Sequence, residues 1–209
     1  MADSKQAIRE AAVGLFNERG YENVSLRDIA REAGVAIGTL TYHFRRKEDL
    51  LDAILADLHG GFEDAFDPQL RGEALLAHLL DLFVAGEANQ RAYPFYFANV
   101  AQVAACSAGV AEEARRFEEV LYGHYRRSLD ALAADRLLRP GHTPARLDAL
   151  AFALVTMQAG WSMGAGPFAN GVGPRVGVAR ALSAILAACL SDEVLPAYDA
   201  LCAEHGVAS

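Results

Sequence analysis

Residues 25–43 read SLRDIAREAGVAIGTLTYH, and their spacing decides the fold. The stretch predicts two short helices joined by a tight turn. Ser25 opens the first, and Asp28 three residues on completes a capping box in which each residue satisfies a backbone N–H of the other. Gly34 supplies the positive φ that a tight turn between helices requires. Ala30 is small enough for the two helices to touch. Leu26, Ile29, Val35 and Leu40 fall where side chains point inward, against a preceding helix whose Ile8, Ala11, Ala12, Leu15 and Phe16 share one face up to Gly20. The second short helix, about 37–43, then keeps Gly38, Thr39, Thr41, Tyr42 and His43 on its outer side. Small and polar groups suit a helix entering a major groove, where bulk is limited and side chains reach base edges and phosphates. The plain alternative is an ordinary helical hairpin with a glycine turn.

Charge separates the two readings. The 209-residue chain has 19 basic and 27 acidic residues, a net charge of −8, which by itself argues against a polyanion-binding protein. Residues 24–47, however, hold Arg27, Arg31, Arg45, Arg46 and Lys47 against only Asp28 and Glu32, a net +3 that leaves −11 on the rest. The field that steers docking acts within a Debye length of ~8–10 Å, so a basic footprint on an acidic body still meets phosphates. The acidic remainder discourages non-specific wrapping along a duplex.

A hydrophobic content of 53% with 22% charged residues excludes general disorder. Cys106, Cys189 and Cys202 lack a C-x-x-C pair and read as reduced thiols. The opening MADSKQAIRE has no apolar signal-like run, so the expected location is cytoplasmic. Two uncharged stretches, 92–111 and 149–174, are interrupted by Pro94, Asn99 and Gln102 and by Gln158, Ser162 and Pro167. Neither reads as a membrane span.

Helical periodicity continues to the end, and the fold class is all-α. A long helix starts near Lys47 with a stripe of Leu51, Ile54, Leu55, Leu58, Phe62 and Phe66, ended by Pro68. Further helices are expected at about 72–90, 93–107, 110–136, 144–165, 174–190 and 193–205. The 110–136 helix has a seam of Phe117, Leu121, Tyr125, Ser128 and Leu132. Residues 164–174, GAGPFANGVGP, read as a flexible loop. Gly60-Gly61 interrupts the long helix as a hinge or as a tight packing point.

From Gly20-Tyr21 through SLRDIAREAGVAIGTLTYHFRRKEDLL to Leu51, the sequence resembles the TetR family of bacterial transcriptional repressors. The elements that carry the resemblance are Ile29-Ala30, Ala33-Gly34-Val35, Gly38-Thr39-Leu40, His43-Phe44 and Lys47 with Leu50-Leu51. It implies an N-terminal three-helix helix-turn-helix domain over 1–46 and a larger helical effector-binding and dimerisation domain over 47–209. It also implies a homodimer on a pseudo-palindromic double-stranded operator, most simply a repressor released by a small apolar effector. Ser25, Arg27, Ile37, Gly38, Thr39, Thr41, Tyr42, His43 and Lys47 are the implied DNA-binding residues. Arg27 resembles a base or phosphate contact, Tyr42, His43 and Lys47 resemble phosphate contacts, and Ile37, Gly38 and Thr39 start the recognition helix. The family usually has an aromatic directly after Gly-Thr-Leu; Thr41 stands there instead, which shortens that reach.

For the effector, residues 93–97 (YPFYF) concentrate aromatics, and Phe95, Asn99, Gln102 and Cys106 recur on one helical face. Such a mixed face suits an apolar cavity with a few orienting polar groups, or else a core with exposed amides. Tyr93, Tyr96, Tyr125, Met157, Gln158 and Trp161 complete the candidate pocket. The nearly uncharged helices at 144–165 and 174–190 pack against a partner subunit or are buried internally. An enzyme is not expected. No H-E-x-x-H or G-x-S-x-G occurs, no His has Glu three residues before it, and Gly171, Gly173 and Gly177 miss the dinucleotide spacing. Neither a cofactor nor a metal is implied.

Overall fold

The computed structural model describes residues 2–64, 66–106, 108–169 and 176–207, with side chains over 4–60, 66–105, 108–161 and 176–207. The helices are α1 (Ala2–Arg19), α2 (Leu26–Glu32), α3 (Ile37–His43), α4 (Lys47–Asp64), α5 (Gly72–Ala92), α6 (Pro94–Phe97), α7 (Val100–Cys106), α8 (Ala108–Ala134), α9 (Pro144–Ala169), α10 (Val178–Cys189) and α11 (Leu195–Glu204). Among the described residues there is no strand, only an antiparallel bridge between Leu138 and Leu190.

Packing divides the chain differently from a boundary at 46/47. One unit comprises residues 1–61 and 93–117, the other 62–92 and 118–209. The chain therefore passes from one to the other three times. Most of α4 and all of α6 and α7 belong with the helix-turn-helix, because their apolar faces complete its core.

In the first unit, Ile8, Ala12, Leu15 and Phe16 of α1 are buried with Ile29 and Ala30 of α2, Leu40 of α3 and Leu50, Leu51, Ile54 and Leu55 of α4. Phe16 anchors the cluster, its ring centroid 5.1 Å from Tyr21 and 5.3 Å from Phe95. The predicted 93–107 helix is two helices. The backbone leaves the α-helix at Ala98 and Asn99, with Phe95, Tyr96 and Phe97 of α6 turned into the core. His59 is fully buried beneath Phe117, 4.2 Å away and nearly parallel. Burial lowers its pKa, against the opposing pull of Glu113, which lies 3.2 Å from Nδ1.

In the second unit the seam of α8 is as expected, with Phe117 at the edge of the first unit and Leu121, Tyr125, Ser128 and Leu132 all buried. The interior here is not purely apolar. The Tyr125 hydroxyl donates to Gln158 Oε1, and Gln90 Nε2 donates to the Gln158 carbonyl. Tyr198 donates to Ser183 Oγ at 3.1 Å, and Ser183 in turn lies 3.1 Å from Cys202 Sγ. Glu87 of α5 closes the start of α10 by accepting the Ala179 N–H at 2.9 Å. A Cβ at Gly177 would run into that carboxylate, which would have to shift from this position. After α10, Arg139 N–H donates to Cys189 O and Ser191 N–H to Leu137 O, which makes the isolated bridge.

Two expectations are adjusted. Helix α9 runs on to Ala169, so the glycine-rich segment 164–174 is helical at its start, and its remainder lies outside the described residues. An added Cβ at Gly60 meets no atom within 4 Å, so this glycine is not a tight packing point. Cys189 and Cys202 are free thiols, with burial pushing Cys189 up; the Cys106 side chain lies outside the described residues. Among the described residues no helix is long and apolar enough to cross a membrane, and no group of three or more His, Cys, Asp or Glu side chains converges as a metal site.

Candidate nucleic-acid interface

The geometry of the reader follows from its caps. Ser25 Oγ accepts the Asp28 N–H at 3.2 Å, and the Asp28 carboxylate accepts the Ser25 N–H at 3.1 Å. The hydrogen bonds from Ser25, reinforced by Arg31, hold the Asp28 carboxyl below its ordinary range. At the other end of α2, Gly34 has φ +66°, the Gly34 N–H donates to Arg31 O at 3.2 Å and the Val35 N–H to Ala30 O at 3.0 Å. This crossed pair ends the helix sharply and aims α3 away from α2. Helix α4 is opened in the same way by Asp49, which accepts from the Arg46 N–H at 3.0 Å and from its guanidinium at 2.8 Å.

Helix α3 buries Leu40 and turns its other faces outward. Ile37 is 43% exposed and Tyr42 79%, with the Tyr42 ring set edge-on to His43 at 5.3 Å. Gly38 and Thr41 are exposed, and Thr39 and His43 are half-buried. Arg27 on α2 and Arg45 before α4 are exposed beside this surface on the chain, and neither pairs with a carboxylate among the described residues. An apolar tip, a glycine, a threonine and an extended tyrosine, flanked by uncommitted guanidinium groups, form a surface suited to base edges and phosphates.

Three predicted contacts have other work. The Lys47 ammonium donates to Tyr21 O at 2.7 Å and Val24 O at 2.9 Å, and sits 4.2 Å from the centroid of the Tyr21 ring. It ties the first turn of α4 to the loop before α2, so its ammonium is engaged within the chain. The Thr41 hydroxyl donates to Ile37 O at 3.0 Å, back into its own helix. The Ser25 hydroxyl is held in the α2 cap. Arg45 is a candidate contact that the sequence alone does not single out. Arg31 and Arg46 have acidic partners at three residues' distance, Asp28 and Asp49, and do pair with them; Arg45 has Glu48 at the same distance and does not.

The ten predicted effector residues are divided between the two units. Tyr93, Phe95, Tyr96, Asn99, Gln102 and Cys106 fall in the first unit; Tyr125, Met157, Gln158 and Trp161 fall in the second. Phe95, Asn99 and Gln102 do line one hollow, of about 130 Å³, but against Gly20–Asn23 of the reader, where Gln102 Nε2 donates to Glu22 at 3.1 Å. Phe95 and Tyr96 are core. Tyr125 and Gln158 satisfy each other in the interior, and burial pushes the Tyr125 hydroxyl far up.

Residues 8–54 match the family described as bacterial regulatory proteins, tetR family. An HTH-type transcriptional regulator of Staphylococcus aureus (strain USA300) is 48% identical over 48 residues, 23% of this chain and 26% of that protein. The match thus spans about a quarter of the curated relatives' length. A TetR-family transcriptional regulator from Marinobacter aquaeolei VT8 has a similar structure, with a TM-score of 0.76 at 17% identity over 96% of this chain and 98% of that one. SmeT, the repressor of the Stenotrophomonas maltophilia multidrug efflux pump SmeDEF, aligns with a TM-score of 0.67 at 22% identity over 92% and 94%. A gamma-butyrolactone receptor (ArpA-like protein) does so at 0.66 and 24% over 97% and 96%. At these identities the likeness is one of fold. Residues 8–54 thus carry the helix-turn-helix of the tetR family of bacterial regulatory proteins, set in an all-helical fold like that of TetR-family regulators of known structure.

Proposed function

We propose that the chain is a ligand-responsive transcriptional regulator, a repressor that leaves its operator when a small, largely apolar effector binds the helical body. The observation that carries the DNA-binding part is the outward face of α3, with Ile37 and Tyr42 exposed and Arg27 and Arg45 uncommitted. In a major groove Ile37 meets a thymine methyl, Gly38 permits close approach and Thr39 reaches a base edge. Tyr42, His43, Arg27 and Arg45 hold phosphates and so set register rather than sequence.

A homodimer is supported by α9, where Phe152 is 66% exposed beside exposed Ala149, Ala153 and Thr156. A bulky aromatic in water on a nearly uncharged helix is covered by a second copy of the same face. Two-fold symmetry then calls for two half-sites ~34–36 Å apart, or a multiple of that. Effector control is supported by the solved complex of SmeT with triclosan and by the gamma-butyrolactone receptors of the same fold. Helix α4 is the connecting element: its first turn is tied to the reader by Lys47, and the division between units falls just after Gly61. Since Gly60 is not demanded by packing, its contribution is a weakened helix at that point.

The test is selection of DNA fragments from a random pool by the full chain, with sedimentation of the protein alone. A recovered pseudo-palindrome and a dimer at micromolar concentration are expected. Fragments recovered without sequence preference, or a monomer, would overturn the reading.

A further inference from the structure

The second unit contains a cavity of about 330 Å³ that the predicted pocket residues do not line. Its walls include Phe66 and Leu70 from the segment before α5, Leu75 of α5, and Arg127 and Ser128 of α8. This volume falls at the lower end of the range for small-molecule sites.

Two neighbouring polar groups on its α8 wall are unused. Ser128 is only 3% exposed, and its Oγ has no hydrogen-bond partner among the described residues. A buried hydroxyl without a partner is uncommon in folded proteins and marks a position where a ligand or water completes the bonding. Arg127 is exposed at the cavity wall, its guanidinium 4.6 Å from the centroid of the Phe66 ring, and it pairs with no carboxylate among the described residues. The other charged groups there hold hydrogen bonds or an ion pair within the chain. Asp130 pairs with Arg126, the Asp67 carboxylate accepts the Gln69 N–H at 2.8 Å, and Arg71 donates to the carbonyls of Pro68 and Leu70 at 2.9 and 2.7 Å. Among the described residues, neither Arg71 nor Arg127 at this cavity has a carboxylate partner, but Arg71 is spent on two backbone carbonyls, whereas the Arg127 guanidinium meets only the Phe66 ring and stands next in sequence to the unpartnered Ser128 hydroxyl.

His124, one turn before Ser128, fixes the ring. It stacks on Phe66 at 4.3 Å. Burial, with Arg127 and His78 nearby, lowers its pKa to about 4, so it stays neutral at pH 7 and leaves Arg127 as the charge that a ligand meets.

We propose that this cavity binds a small monocarboxylic acid with an apolar, ring-sized body. Its carboxylate accepts hydrogen bonds from the Arg127 guanidinium and the Ser128 hydroxyl, and its body lies against Phe66, Leu70 and Leu75. Guanidinium–carboxylate pairing is directional and charge-assisted, which makes the acid group the feature selected. This names the effector class of the regulator proposed above; it rests on that reading for its consequence at DNA, though not for binding itself.

Calorimetry of the full chain with 2-naphthoate, 2-naphthamide and 2-naphthylmethylamine tests it, since the three share a body and differ in charge. Naphthoate is expected to bind at least about tenfold more tightly than either of the others. Arg127→Gln, at an exposed position that leaves the core intact, is expected to abolish that preference by weakening naphthoate far more than the amide. Ser128→Ala should weaken naphthoate by about threefold or more. Equal affinity for acid and amide, tighter binding of the amine, no naphthoate binding up to ~1 mM, or a preference that survives Arg127→Gln overturns the proposal. DNA binding by the same samples, read by fluorescence anisotropy, keeps the two readings apart. Intact sequence-specific binding without acid selectivity removes this inference alone.

Discussion

The two packing units bury different things. Among the described residues, His59 is the one buried polar side chain in the first unit, whereas Gln90, His124, Ser128, Gln158 and Ser183 are all buried in the second. The first unit is built on an apolar plug of Phe16, Leu40, Leu51 and Leu55, with His59 and its Glu113 partner at one edge and most of its polar contacts at caps and on the surface. That is the design of a rigid support, in which every core contact serves to hold an outer face in place. The second unit internalises more hydrogen-bonding side chains, and one of them, Ser128 Oγ, faces a cavity without a partner among the described residues. Such an interior is costly for stability alone and suited to selecting a guest. One unit presents chemistry outward and the other keeps it inside.

Substitutions that discriminate between these designs differ in size. Lys47→Ala should have the largest effect on folding, about 1.5–3 kcal/mol, because it removes a cation bonded to two carbonyls. Denaturant unfolding should show a lower midpoint, while the salt dependence of DNA binding by the folded protein keeps its slope. A flatter slope with an unchanged midpoint would make Lys47 part of the outer face after all. Tyr125→Phe should cost about 1–3 kcal/mol, since it strands the buried Gln158 Oε1. The operator affinity of the folded protein should not change; an affinity loss without a stability loss would mean that this hydroxyl serves the reader. Smallest for folding are Arg27→Ala and Arg45→Ala, for which the unfolding midpoint should not move. Each should weaken binding to all sequences alike and reduce the salt slope by ~0.9 for every phosphate that is no longer neutralised. A change in sequence preference instead would place that arginine on a base edge.

What is legible in the sequence is local. The Ser25–Asp28 box, the Gly34 turn and the outward set of α3 depend on residues within a few positions of each other, and all are present in the structure. The seam from Leu121 to Leu132 is legible for the same reason, as one helix repeats one period. The role of Lys47 is not, because its partners are carbonyls of Tyr21 and Val24, more than twenty residues away. A backbone carbonyl leaves no mark in the amino-acid pattern. The pocket face is built differently from its one-helix reading. Phe95, Asn99 and Gln102 keep a helical period, but the helix ends at Phe97 and α7 restarts at Val100. Gln158 reads as a ligand contact because nothing in its own helix shows that Tyr125 faces it across the interior. The cavity beside Ser128 joins residues roughly sixty apart, and the sequence displays that serine only as one member of a stripe.

The interleaved chain has a consequence during synthesis. Phe16 emerges from the ribosome early, but its partner Phe95 lies beyond most of α5, which belongs to the other unit. At ~5–20 residues per second, the aromatic centre of the reader waits for several seconds before it can be covered. Over that interval the nascent chain exposes Phe16 and Tyr21 together with a run of leucines from α5, a surface of the kind that chaperones engage. A fragment cut at residue 46 or 61 would lack Phe95 and leave that side of Phe16 uncovered permanently, so the DNA-reading module of this protein is defined by its packing and not by a contiguous stretch of gene.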